Sequence, residues 1–116
     1  IAIIPTPSPE GIGLGSRQKA VLDFVTKFPS LDKIVENIGG FAHDVGASVA
    51  YNLARTLQHV SIFIAGSQTP NIVEKMFMTP VESVGDGLRK AFRRLGGDAR
   101  VLVVPNVLRA LPVLKR

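Results

Sequence analysis

The chain has 116 residues, 46% hydrophobic and 20% charged, with no cysteine and a net charge of +5. The balance is that of a globular protein, and a chain this short closes one core rather than two. The lack of cysteine excludes a disulfide scaffold, thiol catalysis and a cysteine-type zinc site, and no apolar run approaches the roughly 20 residues of a membrane span.

Ile1-Ala2-Ile3-Ile4 is a continuous apolar run, the pattern of a strand buried on both faces of a parallel sheet. No basic segment precedes it and Pro5, Pro7 and Pro9 follow, so it does not read as a signal peptide. The chain is expected to begin inside or just before this strand, as part of a larger protein. Pro5 to Gly15 mixes residues that fix φ with glycines that free it, and predicts a shaped loop.

Ser16 is positioned to cap a helix carrying Val21, Leu22, Phe24, Val25 and Phe28, which Pro29 ends. Ser30 caps a second, where Leu31, Ile34, Val35 and Ile38 repeat at helical spacing before Gly39-Gly40. Asp44 predicts the cap of a third helix of about fourteen residues. Its expected apolar stripe is Val45, Val49, Leu53 and Leu57. Ala47, Ala50 and Ala54 would let another element approach closely.

Val60 to Ala65 is β-branched and aromatic, a second strand, with Gly66-Ser67-Gln68 as the turn after it. Thr69-Pro70 opens a short helix carrying Ile72, Val73, Met76 and Phe77. Thr79-Pro80-Val81-Glu82 then fits a capping box with proline at the first helical position. In the helix it predicts, Val81, Val84, Leu88, Ala91, Phe92 and Leu95 line one face. Arg89, Lys90, Arg93 and Arg94 line another, and Gly96-Gly97 closes it. Val101 to Val104 is expected as the third strand, ended by Pro105. Strands alternating with helices predict a single α/β domain over residues 1–116, a three-layer arrangement with a short, mainly parallel sheet and helices on both faces.

Residues 81–116 carry eight Lys/Arg against three acids, while residues 1–80 are balanced at six against six. Basic side chains in the last turns of a helix complement its dipole, so this face is expected as a solvated surface rather than a nucleic-acid site. Gly11-Ile12-Gly13-Leu14-Gly15 follows a strand and precedes a helix, but it is not the G-x-G-x-x-G that cradles a dinucleotide. It also lacks the Lys-Ser/Thr ending of a phosphate-binding loop. His43 and His59 are sixteen residues apart without ligand spacing, and no serine sits in G-x-S-x-G, so neither a metal site nor a nucleophile is predicted.

The segments taken together resemble the C-terminal domain of the nickel-dependent lactate racemase family. The resemblance rests on Pro9-Glu10-Gly11-Ile12-Gly13 after an apolar strand and on Asp44 opening a helix that ends Leu53-Ala54-Arg55-Thr56-Leu57. It continues through Val60-Ser61-Ile62-Phe63-Ile64, Val73-Glu74-Lys75-Met76 and Pro80-Val81-Glu82-Ser83-Val84. Leu95-Gly96-Gly97-Asp98-Ala99 and Val101-Leu102-Val103-Val104-Pro105 complete it, in order, over nearly the whole chain. It implies a two-domain cytoplasmic protein with its active site in the interdomain cleft. A nickel pincer nucleotide and the acid/base histidines would belong to the N-terminal domain. This chain would hold no cofactor, contribute a cleft wall for a small 2-hydroxy acid, and be inactive alone. The resemblance also implies a Gln and a Lys three residues apart on the Asp-capped helix as substrate contacts. Here the nearest positions are Ala47 and Ala50.

Ligands in open parallel sheets gather outside the carboxyl ends of the strands. The segments expected there are Pro5 to Gly15, Gly66 to Thr69 and Pro105 onward. The start of the Asp44 helix joins them if residues 39–42 return the chain to that edge. Glu10, Gly11, Gly13, His43, Asp44 and Ser48 are therefore the candidate cleft residues. The alternative is a free-standing interaction module whose basic helix contacts a partner such as nucleic acid.

Overall fold

The computed structural model describes residues 1–6, 15–41, 43, 44, 46–110, 113 and 115. Three short strands, β1 (Ala2–Pro5), β2 (Ile62–Ala65) and β3 (Thr79–Val81), form one sheet in the order β1-β2-β3. Both pairings are parallel, with Ile3 opposite Phe63 and Phe63 opposite Thr79. The helices α1 (Ser16–Val25), α2 (Leu31–Asn37) and α3 (Ala47–Leu57) connect β1 to β2, with a 3-10 turn at Ile38–Phe41. Helix α4 (Pro70–Lys75) connects β2 to β3, and α5 (Val84–Leu95) follows β3. The expected α/β class with a parallel sheet and helices packed around it is what forms.

Burial explains the strand pattern. Phe63, Ile64 and Ala65 are all buried, and successive side chains point to opposite faces, so both faces of β2 are covered. Phe63, Ala65 and Val81 pack with Ile3 and with Ala91 of α5, forming one layer contact. A second core lies among helices. Phe24, Val25, Ile34, Ala47, Ala50 and Ala54 are its buried members, with Phe28, Phe41 and Met76 among the side chains packed around them. Phe24 anchors an aromatic cluster, its ring centroid 5.3 Å from Phe28 and 5.1 Å from Phe41 in an edge-on contact.

Three local expectations are corrected. The third strand is Thr79–Val81, whereas Val101 to Val104 joins no ladder. Pro80 is compatible with a strand because β3 lies at the sheet edge, where a missing N–H costs no ladder bond. Phe77, at φ 60°, and the Met78 N–H bonded to the Val73 carbonyl turn the chain from α4 into β3. The capping box then sits four residues later than expected. Ser83 Oγ accepts from the Asp86 N–H at 3.1 Å, and Asp86 Oδ2 accepts from the Glu82 N–H at 3.1 Å. Val84 and Leu95, expected on the apolar face of that helix, are exposed.

Two more corrections concern α1 and α3. The N-cap of α1 is Gly15, with Ser16 as its first helical residue. Helix α3 has 11 residues rather than fourteen, and its N-cap is Gly46. Its core-facing row is Ala47, Ala50 and Ala54, the small residues, while Val49 is 54% exposed. The physical reason is proximity. A Cβ on Gly46 would lie 2.5 Å from the Ala20 carbonyl oxygen, so α3 meets α1 at backbone distance and only small side chains fit between. Val45, the other end of the expected stripe, lies outside the described residues. Ser30 caps α2 as expected, accepting from the Lys33 N–H at 3.3 Å, and Gly96, at φ 101°, closes α5.

Candidate functional site

The approach to α3 is a tight turn built by one carboxylate. The Asp44 N–H donates to the Phe41 carbonyl at 2.9 Å, and the Asp44 carbonyl accepts from the Ala47 N–H at 3.1 Å. Its side-chain Oδ1 accepts from the Gly46 N–H at 2.8 Å. Asp44 thus engages the backbone two residues before the helix begins, as an aspartate turn does, and fixes the entry of α3 without being its N-cap. His43 is exposed on the same turn, and Ser48 is exposed in the first turn of α3. These three candidates therefore come together at the positive end of the α3 dipole. Glu10, Gly11 and Gly13 lie outside the described residues.

Ala47 and Ala50, where the resemblance places substrate contacts, are buried in the helical core. Side chains at those positions face α1 and α2 rather than solvent. The substrate-contacting pair cannot be carried over to this chain.

The carboxyl ends of the three strands lead into Thr6, into Gly66 to Thr69, and into Glu82-Ser83. The last replaces the expected Pro105 exit, because the third strand is Thr79–Val81. This edge is rich in hydroxyls. The Thr6 N–H donates to the Ala65 carbonyl at 3.0 Å, and the Thr69 N–H donates to Ser67 Oγ at 3.1 Å. Gly66 adopts φ 79°, and its N–H donates to the Val81 carbonyl at 3.0 Å, tying the exits of β2 and β3 together. Thr6, Ser67 and Thr69 were not predicted as site residues. The segments that hold them, Pro5 to Gly15 and Gly66 to Thr69, are those expected at this edge from the sequence, but the sequence candidates within them are only Glu10, Gly11 and Gly13.

A second concave surface lies at the other end of α3. An open groove of about 710 Å³ is lined by Pro29, Ser30, Leu31, Asp32, Leu57, Gln58, His59 and Phe77. Gln58 Nε2 donates to Asp32 Oδ1 at 2.7 Å there, joining α2 to the end of α3. His59 follows the C-terminus of α3 and His43 precedes its N-terminus. Eleven helical residues at 1.5 Å each separate them by about 16 Å, too far for one metal ion. Among the described residues no three His, Cys, Asp or Glu side chains converge. The described residues therefore do not fit a nickel centre.

The basic face of α5 is largely spoken for. Arg89 and Lys90 bracket Asp86 at 3.4 and 3.3 Å. Arg94 donates to Ser61 Oγ at 2.9 Å, its guanidinium 5.8 Å from the Phe63 ring centroid. The Asp86 carboxyl is held below its ordinary value, first by the Glu82 N–H that it accepts and then by Lys90 and Arg89, against the opposing effect of burial. No described helix is long and apolar enough to cross a membrane.

Fold and site together define a small parallel α/β domain. Its polar groups gather at loop and helix ends, and its interior is apolar throughout the described residues. The family model of the lactate racemase C-terminal domain matches residues 9–111, and the chain belongs to that family. No curated protein and no solved structure matches it.

Proposed function

We propose that this domain forms one wall of the active-site cleft in a lactate-racemase-type isomerase of the cytoplasm that acts on a small 2-hydroxy acid. The observation that carries the reading is the family match over residues 9–111. A companion N-terminal domain would hold the nickel pincer nucleotide and the acid/base groups, since the described residues of this chain supply no ligand set for it. The contribution of this domain is to bind and orient. The N-terminus of α3, set by Asp44 and flanked by His43 and Ser48, suits the carboxylate of a hydroxy acid. Glu10, Gly11 and Gly13 are the proposed partners from the segment that follows β1 in the sequence. With Ala47 and Ala50 buried, the substrate differs in how it is held from the pattern the resemblance implies.

The test is enantiomer interconversion by the full-length parent protein, followed by chiral chromatography over a panel of 2-hydroxy acids. The reading expects one acid to interconvert, with Ser48→Leu raising KM. A nickel-loaded parent that interconverts none of them refutes it.

A further inference from the structure

We propose that Val101–Val104 is a fourth strand of this sheet, which docks parallel to the outer edge of β1 within the same chain. The segment belongs to no helix or strand, with Val101 57%, Leu102 77% and Val103 79% exposed. A run of four β-branched or branched apolar residues in water has the composition of a strand buried on both faces.

The sheet has a matching vacancy. The Ala2 and Thr6 N–H groups donate across to the Ser61 and Ala65 carbonyls of the β2 side. By the two-residue alternation of a strand, Ile4 faces β2 as well, and the N–H and carbonyl of Ile3 point outward. Pro5 follows with no N–H, the residue type that edges tolerate and that limits the pairing to a few residues.

Handedness chooses this edge. The steps from β1 to β2 and from β2 to β3 run in one direction across the sheet. Right-handed crossovers in one direction place their helices, α1–α3 and α4, on one face. Helix α5 covers the other face, since it is Ala91 that packs with Ile3, Phe63, Ala65 and Val81. A right-handed connection through α5 must then step back the opposite way, past β2 and β1. The first vacant position is the outer edge of β1. Helix α5 already reaches that far, for a Cβ on Gly87 would lie 3.2 Å from Ile3 Cγ2. Residues 96–100 link Leu95 to Val101, an ordinary length for a helix-to-strand connection.

The docked strand continues the existing ladder and covers the exposed edge of β1. It also makes a reversal point, because the connections that leave β1 and the new strand run in opposite directions. Open α/β sheets hold ligands at such points, and residues 105–109 would leave the sheet there beside Thr6.

Amide hydrogen exchange by NMR on the 116-residue chain tests this. The Ile3 amide is expected to exchange at least about tenfold more slowly than in an open chain, the protection of a strand docked nine-tenths of the time. Leu102→Pro and Val103→Pro separate the two strand edges, toward which successive N–H groups alternate. Only the variant that removes an N–H directed at β1 abolishes the protection, while the Phe63 and Ile64 amides keep theirs in both. Open-chain exchange at Ile3 in the unmodified protein overturns the proposal. So does protection that disappears on dilution together with a dimer, which would assign the strand to a second copy.

Discussion

Replacing Gly46 by alanine tests how closely α3 approaches α1. The new Cβ would lie 2.5 Å from the Ala20 carbonyl oxygen, 2.8 Å from its carbon and 3.1 Å from the Val21 nitrogen. All three are backbone atoms, so no side chain can rotate aside and one helix must move. Ordinary contact begins near 3.4 Å, so the displacement needed is just under an ångström. Strain of this kind typically costs about 1–3 kcal/mol. The φ of Gly46 is −81°, so the backbone conformation itself suits alanine. The usual gain of about 0.4–1 kcal/mol from a less flexible unfolded chain then opposes the clash. The expected net loss is about 1–2 kcal/mol, read from urea unfolding as a midpoint lowered by roughly 0.5–1 M at a slope near 2 kcal/mol/M. Gly40→Ala is the control, because no atom outside the adjoining residues lies within 4 Å of its added Cβ. It makes the same change to the unfolded chain without the contact. A Gly46→Ala protein as stable as Gly40→Ala would refute the close approach of the two helices.

The cap assignment separates two substitutions: Ser83→Ala should cost about 1 kcal/mol, and Thr79→Ala should stay within about 0.5 kcal/mol, both by urea midpoint. Phe24→Ala should cost about 3–5 kcal/mol, because the ring is 1% exposed and sits between Phe28 and Phe41; thermal unfolding followed by circular dichroism checks it. Asp86 is lowered in the fold from 3.8, so its contribution is fully present above that value and is lost as the pH falls through the folded pKa. Asp86→Asn should therefore flatten part of the acid limb of stability below pH 3.8, and an unchanged limb there would count against the Glu82–Asp86 contact. Calorimetry should detect no one-to-one nickel complex of micromolar affinity with this chain, since His43 and His59 lie at opposite ends of α3.

The sequence alone determined what depends on neighbours along the chain. Residue type and spacing located β1, β2 and all five helices, because apolar periodicity, caps such as Ser30 and stops such as Gly96 act within a few residues. The order of several weak segments pointed to the family. The choice between Thr79–Val81 and Val101–Val104 as third strand was not legible, because it depends on which segment finds the β2 edge. By composition the second is the better strand, and Pro80 argues against the first. Tertiary placement decides it, since the turn through Phe77 lays Thr79–Val81 beside β2 and buries Val81 under α5. The same holds for α3. Its periodicity offered two stripes, one of large residues and one of alanines, and the backbone contact at Gly46 selects the alanines. Burial of Ala47 and Ala50 follows from that contact, and so does the loss of the two positions from any cleft. Local pattern says which residues can face a core; only the packing partner says how much room the core leaves.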